Sequence, residues 1–238
     1  LILWPLGGEP IQGHLLWQPL VVALFFVLAQ LLSFLAFKIG DVSVAIPVMG
    51  SKVILVALFT TLLGVGSVPA SLWIAAVLSA VGIAFLNQKG QSRHEHVLRT
   101  VWLALAAAAS YAIFDVLVMS WAPQWGVGRF LPLVMIMSAL LSITFLPFSK
   151  KQQSDENRRS HRPLYFGAFF IALQALILVS ALGIYGEATA INVIYSTRGL
   201  WSILAVWFIG HWFANTERTQ GGTVFKARLI GAVCLSAA

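Results

Sequence analysis

Residues 40–64, GDVSVAIPVMGSKVILVALFTTLLG, recur in altered form at residues 186–210, GEATAINVIYSTRGLWSILAVWFIG. The offset is 146 positions (186 minus 40). Gly40 aligns with Gly186, Asp41 with Glu187, Ser43 with Thr189, Ser51 with Thr197, Lys52 with Arg198 and Gly64 with Gly210. Each copy is an acidic turn opened by glycine, followed by an apolar helix with one cation near its middle. Most aligned positions are similar rather than identical, so the informative part is the cation kept at one depth in both copies. A charge at the centre of a bilayer costs on the order of 2.5–3.5 kcal/mol by insertion scales.

Composition supports a membrane setting for the repeat. Of 238 residues, 59% are hydrophobic and 10% charged, with a mean hydropathy of +0.88. Globular domains are about 25% charged, so a water-soluble fold is excluded and the surface must face lipid. The net charge of +7 does not indicate a nucleic-acid partner, because the basic residues sit in loops between apolar spans rather than on one folded face. The single cysteine, Cys234, permits no intramolecular disulfide.

Hydropathy predicts spans at about 20–37, 43–64, 70–86, 98–121, 130–148, 164–184 and 188–209, and an eighth from near Arg228. Pro123 to Gly128 is expected to form a turn, and LILWPLGG at the start to be the tail of an earlier helix. With Leu1 first and an apolar run reaching Ala238, both ends are expected to be cut, since a full span needs about 20 residues. The repeat offset contains five helix starts. An odd number inverts the second copy, the arrangement in which many transporters place a substrate site at the repeat interface. Residues 1–90 are then the remainder of a first five-helix repeat, and 91–238 a second with its last helix truncated.

Loop charge gives orientation independently. The loops on one face carry Lys38; Lys89, Arg93 and Arg99; Lys150, Lys151, Arg158, Arg159 and Arg162; and Arg218, Lys226 and Arg228. The other face carries only Arg129. Twelve against one makes the basic face cytoplasmic.

Three ionisable residues lie inside spans: Lys52, Asp115 and Arg198. Such residues usually face the bundle interior and mark a substrate or ion path. Two blander readings compete: the cations snorkel to an interface, or Asp115 forms a buried structural pair with one of them. Recurrence in both copies favours the functional reading. Asn192 and Tyr195 lie within two turns of Arg198, Tyr111 lies one turn before Asp115, and Trp201 follows Arg198 by three residues on the same face. Lys52, Arg198, Asn192, Tyr195, Tyr111 and Trp201 are therefore the candidate substrate-binding residues, and Asp115 the candidate for proton coupling. Gln174 is a lone amide in the sixth span. His94, His96, His161 and His211 fall in loops or at span ends without metal-ligand spacing, so no metal or other cofactor is expected. No Gly-rich phosphate loop, Cys pair or nucleophile elbow occurs, and an enzyme is not expected.

A short polar-started turn, a helix, a glycine-containing break and a helix opening with Pro and Trp (SVPASLWIAAVLSAVGIAFL, 67–86) resemble the EamA-like branch of the drug/metabolite transporter superfamily. The resemblance covers essentially the whole chain as a pattern of hydropathy and small residues rather than a sharp motif. It implies an all-α integral membrane protein of ten helices in two inverted five-helix repeats, of which about eight are present here. Lys52 and Arg198 would fall in the fourth and ninth helices, which line the central cavity in that superfamily. Basic residues there resemble the branches that carry phosphorylated sugars and other organic anions.

Two features depart from the family pattern. The usual charged turn is replaced by GVGSVP (64–69), and loop charge puts the last helix end outside. The expected function is secondary transport of a small anionic or zwitterionic metabolite across a bacterial-type inner membrane. The alternatives are export of amphipathic or cationic compounds through Asp115, and a non-transporting receptor or assembly subunit.

Overall fold

Pro19 near the start of the first apolar run falls where a helix has no N–H to lose, and helix α1 accordingly spans Trp17–Ile39. The computed structural model describes residues 3–39, 42–86, 97–145, 162–197 and 201. Among these the chain is all-helical, with no strand. After α1 come α2 (Val42–Met49), α3 (Lys52–Leu62), α4 (Ala70–Leu86), α5 (Val97–Trp125), α6 (Val127–Ile143), α7 (Arg162–Tyr185) and α8 (Ala188–Ser196). The stretches Gly13–Ile39, Val97–Trp125 and Tyr165–Tyr185 are long and apolar enough to cross a membrane. A bilayer core of about 30 Å asks for some 20 helical residues. On α7, Tyr165, Phe166, Phe169, Phe170 and Ile171 are all exposed, an apolar surface that suits lipid and not water.

Three expectations need correction. The predicted second span is two helices, α2 and α3, separated at Gly50–Ser51. Gly50 is a poor helix former, and the Ser51 N–H turns to the Val48 carbonyl three residues back at 3.0 Å, so the regular ladder lapses there. The turn predicted over Pro123–Gly128 narrows to one residue: α5 runs through Pro123 to Trp125, α6 starts at Val127, and Gly126 between them has φ 76°. Proline in the last turn of a helix removes only one hydrogen bond, whereas a positive φ needs glycine. In the opening stretch, Trp4–Leu6 is a 3-10 turn with Pro5 at its start, not an α-helical tail.

The chain forms two compact units, each built from separated stretches. One comprises Leu1–Val27 with Leu117–Gly186, and the other Leu28–Val116 with Glu187–Ala238.

Within the first unit, the 3-10 turn packs on α6. The Arg129 guanidinium lies 4.3 Å from the centroid of the Trp4 ring, and the Glu9 N–H donates to the Trp125 carbonyl at 2.9 Å. The buried Gln18 Oε1 accepts from the Trp125 indole N–H at 2.7 Å. The Gln18–Trp125 pair thus satisfies itself away from water, as burial demands, whereas the Ser138 hydroxyl of α6 is buried without a partner.

Within the second unit, α3, α4 and α8 meet on Val53, Ala75, Ala76 and Val193. Ala36 of α1, Ala45 of α2 and Ala104 of α5 form a second cluster. Small side chains let membrane helices approach closely, where dispersion rather than water exclusion holds them. This packing places α3, α5 and α8 so that their polar residues converge.

Candidate site at a broken helix

Lys52 is the first residue of α3, immediately after the break. A cation at a helix N-terminus opposes the positive end of the dipole and calls for a compensating anion. Asp115 of α5 supplies it: Lys52 Nζ lies 2.7 Å from Asp115 Oδ2. Asn192 Nδ2 donates to the same oxygen at 2.7 Å and to the Ala188 carbonyl at 2.9 Å. Both contacts are to acceptors, which fixes the amide orientation, since a flipped amide would set oxygen against oxygen. The Lys52 ammonium also lies 5.7 Å from the Tyr111 ring centroid and 5.9 Å from that of Tyr195, within the range of cation–π attraction.

Helical spacing explains the convergence. Tyr111 and Asp115 are four apart on α5, and Asn192 and Tyr195 three apart on α8, so each pair shares a face. Asp115 is fully buried and Asn192 nearly so. A buried ion pair repays its desolvation only when further hydrogen bonds satisfy it, and Asn192 supplies one. The satisfaction is uneven: Oδ2 receives two donors, whereas Asp115 Oδ1 and Asn192 Oδ1 have none.

Three hydrogen bonds around the break recur in the second copy. The Ser51 N–H and hydroxyl both donate to the Val48 carbonyl, at 3.0 and 2.7 Å. One repeat later, the Thr197 N–H and hydroxyl both donate to the Ile194 carbonyl, at 3.1 and 2.7 Å. Ser51 has φ −61° and ψ −12°, and Thr197 φ −62° and ψ −15°, the 3-10 tightening of a last helical turn, which Thr144 at the end of α6 shares with φ −62° and ψ −18°. The Leu55 N–H bonds to the Ser51 carbonyl at 3.0 Å, and that of Trp201 to the Thr197 carbonyl at 3.2 Å. In each copy the bend immediately precedes the cation of the repeat.

Of the residues expected to form the site, Lys52, Asp115, Asn192, Tyr111 and Tyr195 come together. Arg198 lies outside the described residues. Trp201 is 66% exposed, unlike the buried Asp115 and Asn192, and Gln174 is exposed on α7. Sequence reasoning gave no site role to Thr60, Ser79 and Thr189, whose buried hydroxyls have no hydrogen-bond partner. Ser33, Thr61, Ser110 and Ser142 instead return their hydroxyls to the carbonyl four residues back, the ordinary solution in an apolar helix. Thr60 stands two turns beyond Lys52 and Thr189 one turn before Asn192. That spacing was the available signal. No three His, Cys, Asp or Glu side chains gather among the described residues.

No family model matches this chain, and no curated protein does. Twelve solved chains match by fold. One of them, described only as "Crystal structure of protein", covers 97% of this chain and 79% of its own, with a TM-score of 0.62 and 13% identity. At that identity the likeness concerns the fold alone.

Proposed function

We propose that the chain is a secondary transporter of the drug/metabolite type, with an EamA-like ten-helix inverted-repeat architecture, in a bacterial-type plasma membrane. It moves a small organic metabolite by alternating access and makes or breaks no covalent bond. The observation that carries this reading is the Lys52–Asp115–Asn192 cluster at a helix break whose geometry recurs in the second copy. Broken helices with polar termini at membrane depth build substrate sites, because irregular backbone survives there only where something polar meets it. An anionic or zwitterionic solute fits the Lys52 and Arg198 pair, and Asp115 is the carboxylate available for proton coupling.

A second reading, transport of a cationic compound through Asp115, is favoured by one observation. Lys52 is already matched by Asp115, so its charge no longer repels a cation as an unpaired lysine would.

The test is flux in proteoliposomes containing the full-length protein, across anionic, zwitterionic and cationic metabolites. The Lys52→Ala, Arg198→Ala double variant is expected to lose transport at least about tenfold, the scale of one charge-assisted hydrogen bond. Normal transport by that variant would sink the proposal.

A further inference from the structure

The cluster that supports the transport reading is unevenly satisfied, and the imbalance is all of one kind. Asp115 Oδ1 and Asn192 Oδ1 are acceptors, both in residues more than nine-tenths buried, and neither meets a donor. A buried acceptor without a donor is disfavoured, so the group that completes this site brings N–H or O–H bonds. Lys52, on the neighbouring Asp115 Oδ2, shows the kind of donor this carboxylate accepts. Its ammonium touches Asp115 and lies near the faces of two tyrosines, the combination of carboxylate and aromatic rings that recognises an organic cation.

Access points the same way. Lys52 keeps 16% of its side chain accessible and Asp115 only 1%, so the carboxylate sits behind the ammonium. The lysine stem is long and flexible, and it is anchored beside the bend at Gly50–Ser51 rather than in mid-helix.

We propose that Lys52 is a tethered stand-in for the ammonium group of the solute. On this view, which rests on the transport reading above and narrows its substrates to the zwitterionic and cationic ones, the solute carries an amine. That amine displaces Lys52 from Asp115 between the Tyr111 and Tyr195 rings, and the return of Lys52 to Asp115 expels it. The site thus holds one positive charge at every stage, and Asp115 is never left unpaired in the bundle.

The consequence is a split between binding and turnover. The binding-competent state, with Lys52 off Asp115, is a minor one, and apparent affinity falls by its fraction. For a minor state of about 0.1–10% that is roughly 10- to 1000-fold. Removing the Lys52 charge therefore tightens amine binding while slowing release.

The experiment is calorimetric titration of the full-length protein in detergent with three probes of one chain length: n-butylamine, 4-aminobutyrate and butyrate. The two amines are expected to bind saturably and butyrate to be ignored. Lys52→Gln is expected to tighten both amines at least about tenfold, and Asp115→Asn to abolish their binding. Unchanged or weaker amine affinity in Lys52→Gln overturns the inference. So does butyrate bound by wild type and lost in Lys52→Gln, a result that leaves the transport reading standing. Amine binding that tightens in Lys52→Gln without flux of either amine through wild type removes the transport reading but keeps the exchange at Asp115. Should Lys52→Gln fail to accumulate, Tyr195→Leu, which keeps the ion pair, carries the test. It is expected to weaken amine binding by roughly tenfold, and unchanged affinity, or wild type that takes no amine at any soluble concentration, overturns the inference.

Discussion

Asp115→Ala is expected to lower the unfolding free energy of the full-length protein by roughly 3–5 kcal/mol, the cost of breaking a buried ion pair from one side. The carboxylate gathers two donors on one oxygen, the Lys52 ammonium and the Asn192 amide, each at 2.7 Å. Removing it leaves a cation at a helix N-terminus, where the dipole already opposes it, and frees an amide hydrogen in an apolar setting. Lys52→Met with Asp115→Ala removes both charges together, so the double variant should be more stable than the sum of the single losses predicts. A positive coupling of at least about 1 kcal/mol is expected from residues in one network. Denaturant unfolding in detergent reads both quantities. A loss below about 1 kcal/mol for Asp115→Ala would mean that Lys52 is matched by solvent, as exposed pairs are.

The second large effect lies in the other unit. Gly128→Ala is expected to destabilise by about 3 kcal/mol or more, because overpacking against backbone has no rotamer to relieve it. A Cβ at Gly128 would collide with the Gly7 carbonyl oxygen and stand 2.7 Å from that of Leu3 and 2.8 Å from the Gly7 nitrogen. To admit it, the opening stretch must lift from α6, taking with it the Arg129–Trp4 stack and the Glu9–Trp125 hydrogen bond. Gly167→Ala is the control: a Cβ there meets nothing within 4 Å. In the interior of α7 it should be neutral or stabilise by up to about 1 kcal/mol through helix propensity. Equal effects of the two substitutions would show that the opening stretch does not pack on α6 in the membrane.

The helix pattern and the buried charges were legible because apolar runs, and the ionisable residues inside them, are expensive to place and so stand out in a string. Lys52 and Asp115 were readable for that reason, and Tyr111 and Asn192 followed from helical spacing. What the string does not carry is partnership. Lys52 and Asp115 are 63 residues apart (115 minus 52), and Arg198 was an equal claimant for the carboxylate. The bend was half legible: Gly50 marks a weak ladder, but only hydrogen bonding reveals that Ser51 closes it. Thr60, Ser79 and Thr189 looked like ordinary packing hydroxyls, because a sequence does not say which hydroxyls find their own helix carbonyl. Trp201, placed near Arg198 by spacing alone, is two-thirds exposed, since spacing tells which residues share a helix face and not whether that face is covered.

The serine and threonine bonds at the two bends span only three residues. A clasp that short is closed within its own turn and borrows nothing from neighbouring helices. The crook between α2 and α3 is therefore intrinsic, as in a cane bent before it is used. Movement of α3 against α4 and α8, as alternating access would require, would carry that angle along over the alanine and valine faces of the packing. Stiffness in such a protein would reside in the pieces and ease in the seams between them.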